Sequence, residues 1–195
     1  MKTQTVQNLK TLEDYIEIWV ENFLKDRKAQ NMAKGTVIYY RAKLKVFIEY
    51  CNSQEVKLIS QITPSLIRDY LLILEERGHN AGGVHGYFRS VKAFLRWYWD
   101  ELDIETVNPI SKVKTPRLPV EPIEGISRDD FESLLSACKK NFLGERDKAI
   151  LMVLLDTGIR ASELCSIRLE DVNLIDSSIL IRQGKGKKPR YSIAL

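Results

Sequence analysis

Four of the chain's six prolines, Pro109, Pro116, Pro119 and Pro122, fall between Glu105 and Gly125. Proline has no backbone N–H and fixes its own φ, so a stretch this rich in it enters neither a helix interior nor a central strand. The chain therefore reads as two domains, residues 1–104 and 126–195, joined by a linker over 105–125. Proline also stiffens and extends such a segment. With Lys112, Lys114 and Arg117 between the prolines, the linker suits a basic strap crossing an anionic partner, and it suits an ordinary solvated connection equally well.

Before the linker, apolar residues recur at helical spacing in four segments with short joints, which predicts a mainly α-helical domain. The first segment, near Leu12 to Lys28, sets Tyr15, Ile16, Trp19, Val20 and Phe23 toward a core. The second, near Thr36 to Cys51, places Val37, Tyr40, Leu44, Phe47 and Cys51 on one stripe. Thr63 and Pro64 open the third, since threonine caps and proline is tolerated in a first turn, and it ends at Arg77 and Gly78. The fourth follows the segment from His79 to Gly83 and runs to about Leu102, with Phe88, Val91, Leu95, Tyr98 and Leu102 on one face.

Two of these helices carry cations beside the apolar face. Lys34, Arg41 and Lys45 form one stripe on the second helix, and His85, Arg89, Lys92 and Arg96 form another on the fourth, neither interrupted by an acid. Long basic side chains commonly lie along the edge of a core with their heads in water. The same arrangement on rigid helices serves phosphate contact. Bulk charge does not decide between them: the net charge is only +4, and residues 1–104 and 105–195 each carry 15 basic and 13 acidic side chains, so the signal lies in local placement.

After the linker, Ser127 followed by Asp129 and Asp130 reads as a helix N-cap with acids in the first turn, leading to a helix that ends near Lys140. A second helix spans Glu145 to Thr157, and its apolar run from Ala149 to Leu155 predicts a buried element. Gly158 closes it, glycine being suited to the left-handed conformation at a helix C-terminus. Arg160 then stands between that helix and a short one reaching about Ile167. A side chain launched from such a junction has its backbone fixed on both sides, and a guanidinium offers a planar fork of donors to phosphate. Glu163, three residues on, shares its face and could orient it. Two strand-like runs come next, Ser178 to Ile181 and Tyr191 to Leu195, separated by Gly184, Lys185 and Gly186, which predicts a hairpin with Lys185 at its tip. Lys187, Lys188 and Arg190 crowd the same hairpin with Arg182, and no acid follows Asp176. Alternation along the last strand assigns Tyr191 to packing.

Several classes are excluded. Cys51, Cys138 and Cys165 are odd in number and lack metal-ligand spacing, and two histidines are too few for a metal cluster. No apolar run approaches the roughly twenty residues of a membrane span, and the N-terminus lacks the apolar core of a signal peptide. These features predict a cytoplasmic protein with no metal and no membrane partner.

The run from Thr157 to Leu164, Thr-Gly-Ile-Arg-Ala-Ser-Glu-Leu, and the run from Gly184 to Arg190, Gly-Lys-Gly-Lys-Lys-Pro-Arg, lie in order with Arg160 and Lys185 about twenty-five residues apart. Together they resemble the first half of the catalytic domain of tyrosine recombinases, the phage integrase family. The four-helix segment is similar, more loosely, to the SAM-like core-binding domain that precedes it, in which the second and fourth helices contact duplex DNA. The fold implied is mainly α: a four-helix SAM-like domain, a proline-rich linker, and the start of an α+β catalytic domain with a small antiparallel sheet. The resemblance implies that Arg160 clamps a scissile phosphate, Glu163 supports the site, and Lys185 protonates the departing 5′ oxygen. It implies DNA contact by Lys34, Arg41, Lys45, His85, Arg89, Lys92, Arg96, Lys187, Lys188 and Arg190. The implied reaction is transesterification of a DNA phosphodiester through a 3′-phosphotyrosine, without cofactor, serving DNA integration or recombination by a mobile element. Double-stranded DNA, and other recombinase protomers on it, are the implied partners. The family's His-x-x-Arg box and nucleophilic tyrosine normally lie C-terminal to Lys185 and are not found here, so the expectation is a truncated form that binds DNA and does not cut it alone. The alternative is a stand-alone DNA-binding accessory or inhibitory module.

Overall fold

A computed structural model of the protein describes residues 14–119, 122, 124–182, 184 and 188–193. The chain forms two compact units, one ending at Glu121 and one beginning at Pro122.

The first unit contains α1 (Ile16–Ala29), α2 (Lys34–Ser53), α3 (Pro64–Glu76) and α4 (Ala81–Glu101), with 3-10 turns at Ile59–Gln61 and Pro109–Lys112. The cap at Thr63 forms, its Oγ1 accepting the Leu66 N–H at 3.1 Å, and Gly78 leaves α3 with φ +82°. The fourth helix starts earlier than its glycines predict. Asn80 caps it by accepting the Gly83 N–H at 2.8 Å, and the cap together with buried Val84 and Tyr87 carries the helix through Gly82 and Gly83.

The apolar stripes converge on one core. Phe23, Leu44, Phe47, Phe88, Val91, Phe94 and Leu95 are fully buried, and the rings of Phe23 and Phe94 meet edge to face at 5.9 Å, the geometry that the aromatic quadrupole favours. Two residues expected inside lie at its edge. Tyr15 precedes α1 in extended conformation and bridges to Leu58, so its side chain remains 43% exposed, and Leu102 follows the last turn of α4 at 40% exposed. The expected start of the first helix at Leu12 lies outside the described residues. The entry to α1 is pinned instead by Asp14: its carboxylate accepts the Tyr98 hydroxyl and the Ser60 N–H, and its carbonyl accepts the Ile59 N–H.

The second unit contains α5 (Arg128–Ala137), α6 (Phe142–Thr157), α7 (Ala161–Leu164), a 3-10 turn at Leu169–Asp171, and strands β1 (Val172–Asn173), β2 (Ser178–Ile181) and β3 (Arg190–Ile193) in an antiparallel sheet of order β1-β2-β3. Its core is small: Ile159, Ile179 and Ile181, with Val153, Leu154, Leu164 and Ile167 against them. Helix α6 is not the buried element its composition predicts. Met152 and Leu155 are each more than half exposed and Phe142 is 86% exposed, because among the described residues only one side of α6 meets the sheet and α7.

Strand register settles the orientation of the last strand. Ile179 and Ile181 face the core, and their cross-strand partners are Ser192 and Arg190, so these two point inward with them. Tyr191 pairs with Leu180 on the other face and is 70% exposed, as is Ile193 at 65%. The expected packing role of Tyr191 is therefore corrected: alternation put Tyr191 and Ile193 on one face, as expected, but that face is the outer one. Leu195 lies outside the described residues. Among the described residues, no helix is long and apolar enough to cross a membrane.

The contrast between the two cores is measurable. Phe94→Ala, by opening a cavity in the first unit, should lower its stability by about 3–5 kcal/mol, read as an earlier denaturant midpoint of the helical circular dichroism. Phe142→Ala, which removes an exposed ring, should stay within about 0.5 kcal/mol of the parent.

Candidate phosphate site and nucleic-acid interface

The junction between α6 and α7 is built residue by residue. Thr157 donates its hydroxyl to the Val153 carbonyl at 2.5 Å, and Gly158 takes the left-handed conformation at φ +59°, returning its N–H to the Leu154 carbonyl. Ile159 then turns into the small core, 5% exposed. Arg160 becomes the N-cap of α7 in extended conformation, φ −74° and ψ 150°. The predicted short helix to Ile167 is thus a single turn ending at Leu164.

Glu163 organises the first turn of α7. Its carboxylate, only 3% exposed, accepts the Arg160 backbone N–H on Oε2 at 2.9 Å and Arg160 Nη1 on Oε1 at 2.9 Å. Arg190 adds a two-point fork, Nη1 to Oε1 at 3.0 Å and Nη2 to Oε2 at 2.7 Å. Both oxygens are therefore doubly occupied, which accounts for the roughly four acceptor positions of a carboxylate. The hydrogen bonds from Arg190 first, and from the Arg160 backbone next, hold the Glu163 carboxyl down to about 2 against an ordinary 4.5, although burial pushes the other way. The same pairing raises Arg190. Arg160 keeps 56% of its side chain exposed, and its remaining guanidinium donors face no partner among the described residues.

Arg190, expected to contact DNA, has a partner within the chain that the sequence did not announce. Its position opposite Ile181 puts it on the Glu163 side of the strand, where Glu163 takes its fork while 41% of its side chain stays exposed. The signal was present in the strand alternation, once the inner face is known. Gly184 belongs to the same construction, since a Cβ there would lie 2.7 Å from the Lys188 carbonyl oxygen and 2.8 Å from Arg190 Nη1. Glycine lets the backbone cross close over the guanidinium. Lys188 is exposed, and Lys185 and Lys187 lie outside the described residues.

Shortly after α7 the chain repeats the device. Asp171, 1% exposed, accepts the Arg168 backbone N–H at 3.1 Å and Arg182 Nε at 2.5 Å, while Glu170 takes Arg182 Nη2 at 3.2 Å. Arg182 is therefore also spent on an internal acid. Neither pair was anticipated, because the carboxylates precede their arginines by 27 and 11 residues.

The two basic stripes of the first unit differ. On α2, Arg41 forms a bidentate pair with Glu21 of α1, at 2.6 and 3.0 Å, and Lys45 lies 3.8 Å from Glu49. The stripe free of acids in its own sequence faces acids supplied by a neighbouring helix and by its own next turn. Lys34 remains exposed. On α4, Arg89 and Arg96 are exposed, Lys92 lies 5.5 Å over the Phe88 ring, and His85 is half-buried; none of the four has an ion pair among the described residues. Lys43, absent from the predicted stripes, sits with its ammonium 3.6 Å over the Tyr87 ring and 5.9 Å over that of Tyr39. Among the described residues, no group of three or more His, Cys, Asp or Glu could hold a metal ion.

Residues 20–102 match the family described as phage integrase, N-terminal SAM-like domain, and residues 124–193 match the phage integrase family itself. The chain belongs to the phage integrase family of tyrosine recombinases. The tyrosine recombinase XerC of Oceanobacillus iheyensis is 32% identical over 182 residues, covering 92% of this chain and 58% of that protein. XerA of Pyrococcus horikoshii is 26% identical over 171 residues, covering 88% and 54%. The chain thus spans little more than half the length of these relatives. In fold it is similar to a lambda integrase tetramer bound to a Holliday junction, with a TM-score of 0.78 at 17% identity over 100% of this chain and 55% of that one. It is also similar to the Tn1549 transposon integrase in complex with a circular intermediate DNA, with a TM-score of 0.66 at 18% identity over 93% and 61%.

The depressed Glu163 pKa sets a pH window. Because the folded value lies below the free one, the stabilisation is fully present above about pH 4.5 and is lost as pH falls toward about 2. The protection factors of the β2 and β3 amides, taken against the intrinsic exchange rate at each pH, should therefore fall as the pH drops across that window. In Glu163→Gln this pH-dependent component should vanish, with faster exchange already at neutral pH.

Proposed function

We propose that this chain is the DNA-binding portion of a site-specific tyrosine recombinase, acting on duplex DNA in the cytoplasm, with Arg160 as a clamp for the scissile phosphate. The observation that carries the reading is the pairing of Arg160 with buried Glu163: a guanidinium fixed at its base by a helix cap and held at one nitrogen, with its outer donors open. Such a fork meets a phosphodiester oxygen pair without reorganising, which is the condition for electrostatic stabilisation of developing charge. Lys185, on the connection between β2 and β3, is assigned the role of general acid to the departing 5′ oxygen, and Glu163 that of support.

Contact with the duplex is assigned to α4. His85, Arg89, Lys92 and Arg96 recur at intervals of three and four, so they share one helix face, and no internal acid neutralises them among the described residues. Lys34, Lys187 and Lys188 are assigned further phosphate contacts, whereas Arg41 and Lys45 contribute less because Glu21 and Glu49 already engage them. Other recombinase protomers on the same DNA are the proposed protein partners, in keeping with the tetramer and dimer found among the structural neighbours. A second reading, a DNA-binding accessory module without catalysis, draws on the self-contained core of the first unit beside the open α6 of the second.

Binding of a duplex should weaken steeply between about 50 and 200 mM salt, as neutralised phosphates release counterions. Replacing Arg89, Lys92 and Arg96 together by alanine should flatten the plot of log affinity against log salt by about 1 per contact removed. The Arg41→Ala and Lys45→Ala pair should change that slope little. A salt-independent affinity would sink the phosphate reading. On a nicked duplex carrying the element's recombination site, the chain alone should form no covalent adduct, since no residue here matches the family's nucleophile. An adduct lost in Tyr191→Phe would make the exposed Tyr191 that nucleophile.

A further inference from the structure

The strand β3 supplies a residue whose placement goes beyond DNA contact. Arg190 is held from three sides. Its backbone is fixed opposite Ile181 in the sheet, the Gly184 backbone crosses close to its Nη1, and its fork fills one acceptor position on each Glu163 oxygen. Arg160 fills the remaining two, one with its backbone N–H and one with Nη1.

Two guanidinium groups surround one carboxylate, so the cluster carries one net positive charge. The two-point contact belongs to Arg190 and the one-point side-chain contact to Arg160, so the greater part of the Glu163 charge is matched by Arg190. A bidentate guanidinium–carboxylate pair is the stronger of the two arrangements. Without Arg190, the buried, ionised Glu163 would have Arg160 as its only guanidinium partner and would draw it into the fork geometry that Arg190 now occupies.

We propose that Arg190 is a positioning residue that, by taking the fork on Glu163, keeps the Arg160 guanidinium held yet available to an oxyanion. The proposal rests on the assignment of Arg160 as a phosphate clamp. It gives Arg190, whose side chain stays 41% exposed, the role of the counterion that decides how much of the Arg160 charge is free. Glu163 is thereby both a tether for Arg160 and its potential quencher, and Arg190 selects the first role. Gly184, keeping open the space beside Nη1, is the backbone half of the same arrangement.

The test uses the full chain and inorganic phosphate as probe, following the Arg160 side-chain N–H resonances by NMR. Wild type should show a saturable response at Arg160. Arg190→Gln should weaken it about tenfold, the size of one charge-assisted hydrogen bond, and Arg190→Lys should fall between. The decisive variant is Arg190→Gln combined with Glu163→Gln, because glutamine at the third helical position still accepts the cap N–H but carries no charge to quench. Phosphate affinity should recover in the double variant, a result that loss of structure alone does not give. Gly184→Ala, which displaces the Arg190 guanidinium without deleting its charge, should weaken binding in the same direction, with the amide spectrum confirming that the second unit is folded. The proposal is overturned if Arg160 does not respond to phosphate in wild type, if Arg190→Gln binds as wild type does, or if the double variant binds no better than Arg190→Gln. Failure to bind duplex DNA alongside a normal phosphate pattern would sink the recombinase reading and leave this one standing.

Discussion

The second unit depends on one buried carboxylate. Glu163 is almost wholly removed from water yet remains ionised, because four donors meet it: a backbone N–H, one nitrogen of Arg160 and two of Arg190. An unpaired carboxylate in that position would be costly to keep charged and would take up a proton instead. The same four contacts tie three elements together, since the N–H begins α7, Arg160 ends the turn out of α6, and Arg190 comes from β3. With only three buried isoleucines at the centre of this unit among the described residues, the polar cluster supplies connectivity that apolar packing does not. Asp171 does the same for the turn before β1 and the end of β2 through Arg182.

The first unit is organised in the opposite way. Its helices are tied by a continuous apolar core in which aromatic rings from α1, α2, α3 and α4 meet edge to face, and its pairs between Arg41 and Glu21 and between Lys45 and Glu49 lie at the surface. Surface pairs such as Arg41–Glu21 contribute little to stability. Their effect on charge placement is larger than their energy: they engage Arg41 and Lys45 of α2, whereas His85, Arg89, Lys92 and Arg96 of α4 meet no acid among the described residues.

Much of this was legible in the sequence. Helical periodicity gave the four helices of the first unit, the caps at Thr63 and Ser127 formed, and Gly158 adopted the left-handed conformation that its place after an apolar run required. The runs around Arg160 and around Lys185, taken together, pointed to the family. What periodicity could not supply was the identity of partners distant along the chain. An acid-free stripe on α2 says nothing of Glu21 on α1, and an acid-free hairpin says nothing of Glu163 or Asp171 before it. The inner face of β3 was misassigned for a related reason. Alternation divides a strand into two faces, and only the pairing with Ile179 and Ile181 tells which of them is inside. Composition likewise overstated the burial of α6, because an apolar run records a capacity to be covered and not the presence of a cover.

The repeated use of one device has a consequence for how such chains diverge. In both Glu163 and Asp171 a carboxylate at the third position of a short helix caps that helix and receives an arginine from the sheet or its end. Each acid thus answers to a local partner and a remote one, and losing the remote cation throws its share of the charge onto the local groups. Substitutions at Arg190 and Arg182 should therefore be tolerated mainly together with changes at Glu163 and Asp171. Related sequences should vary at these two pairs in concert, each pair independent of the other, even where the surrounding strand residues drift freely.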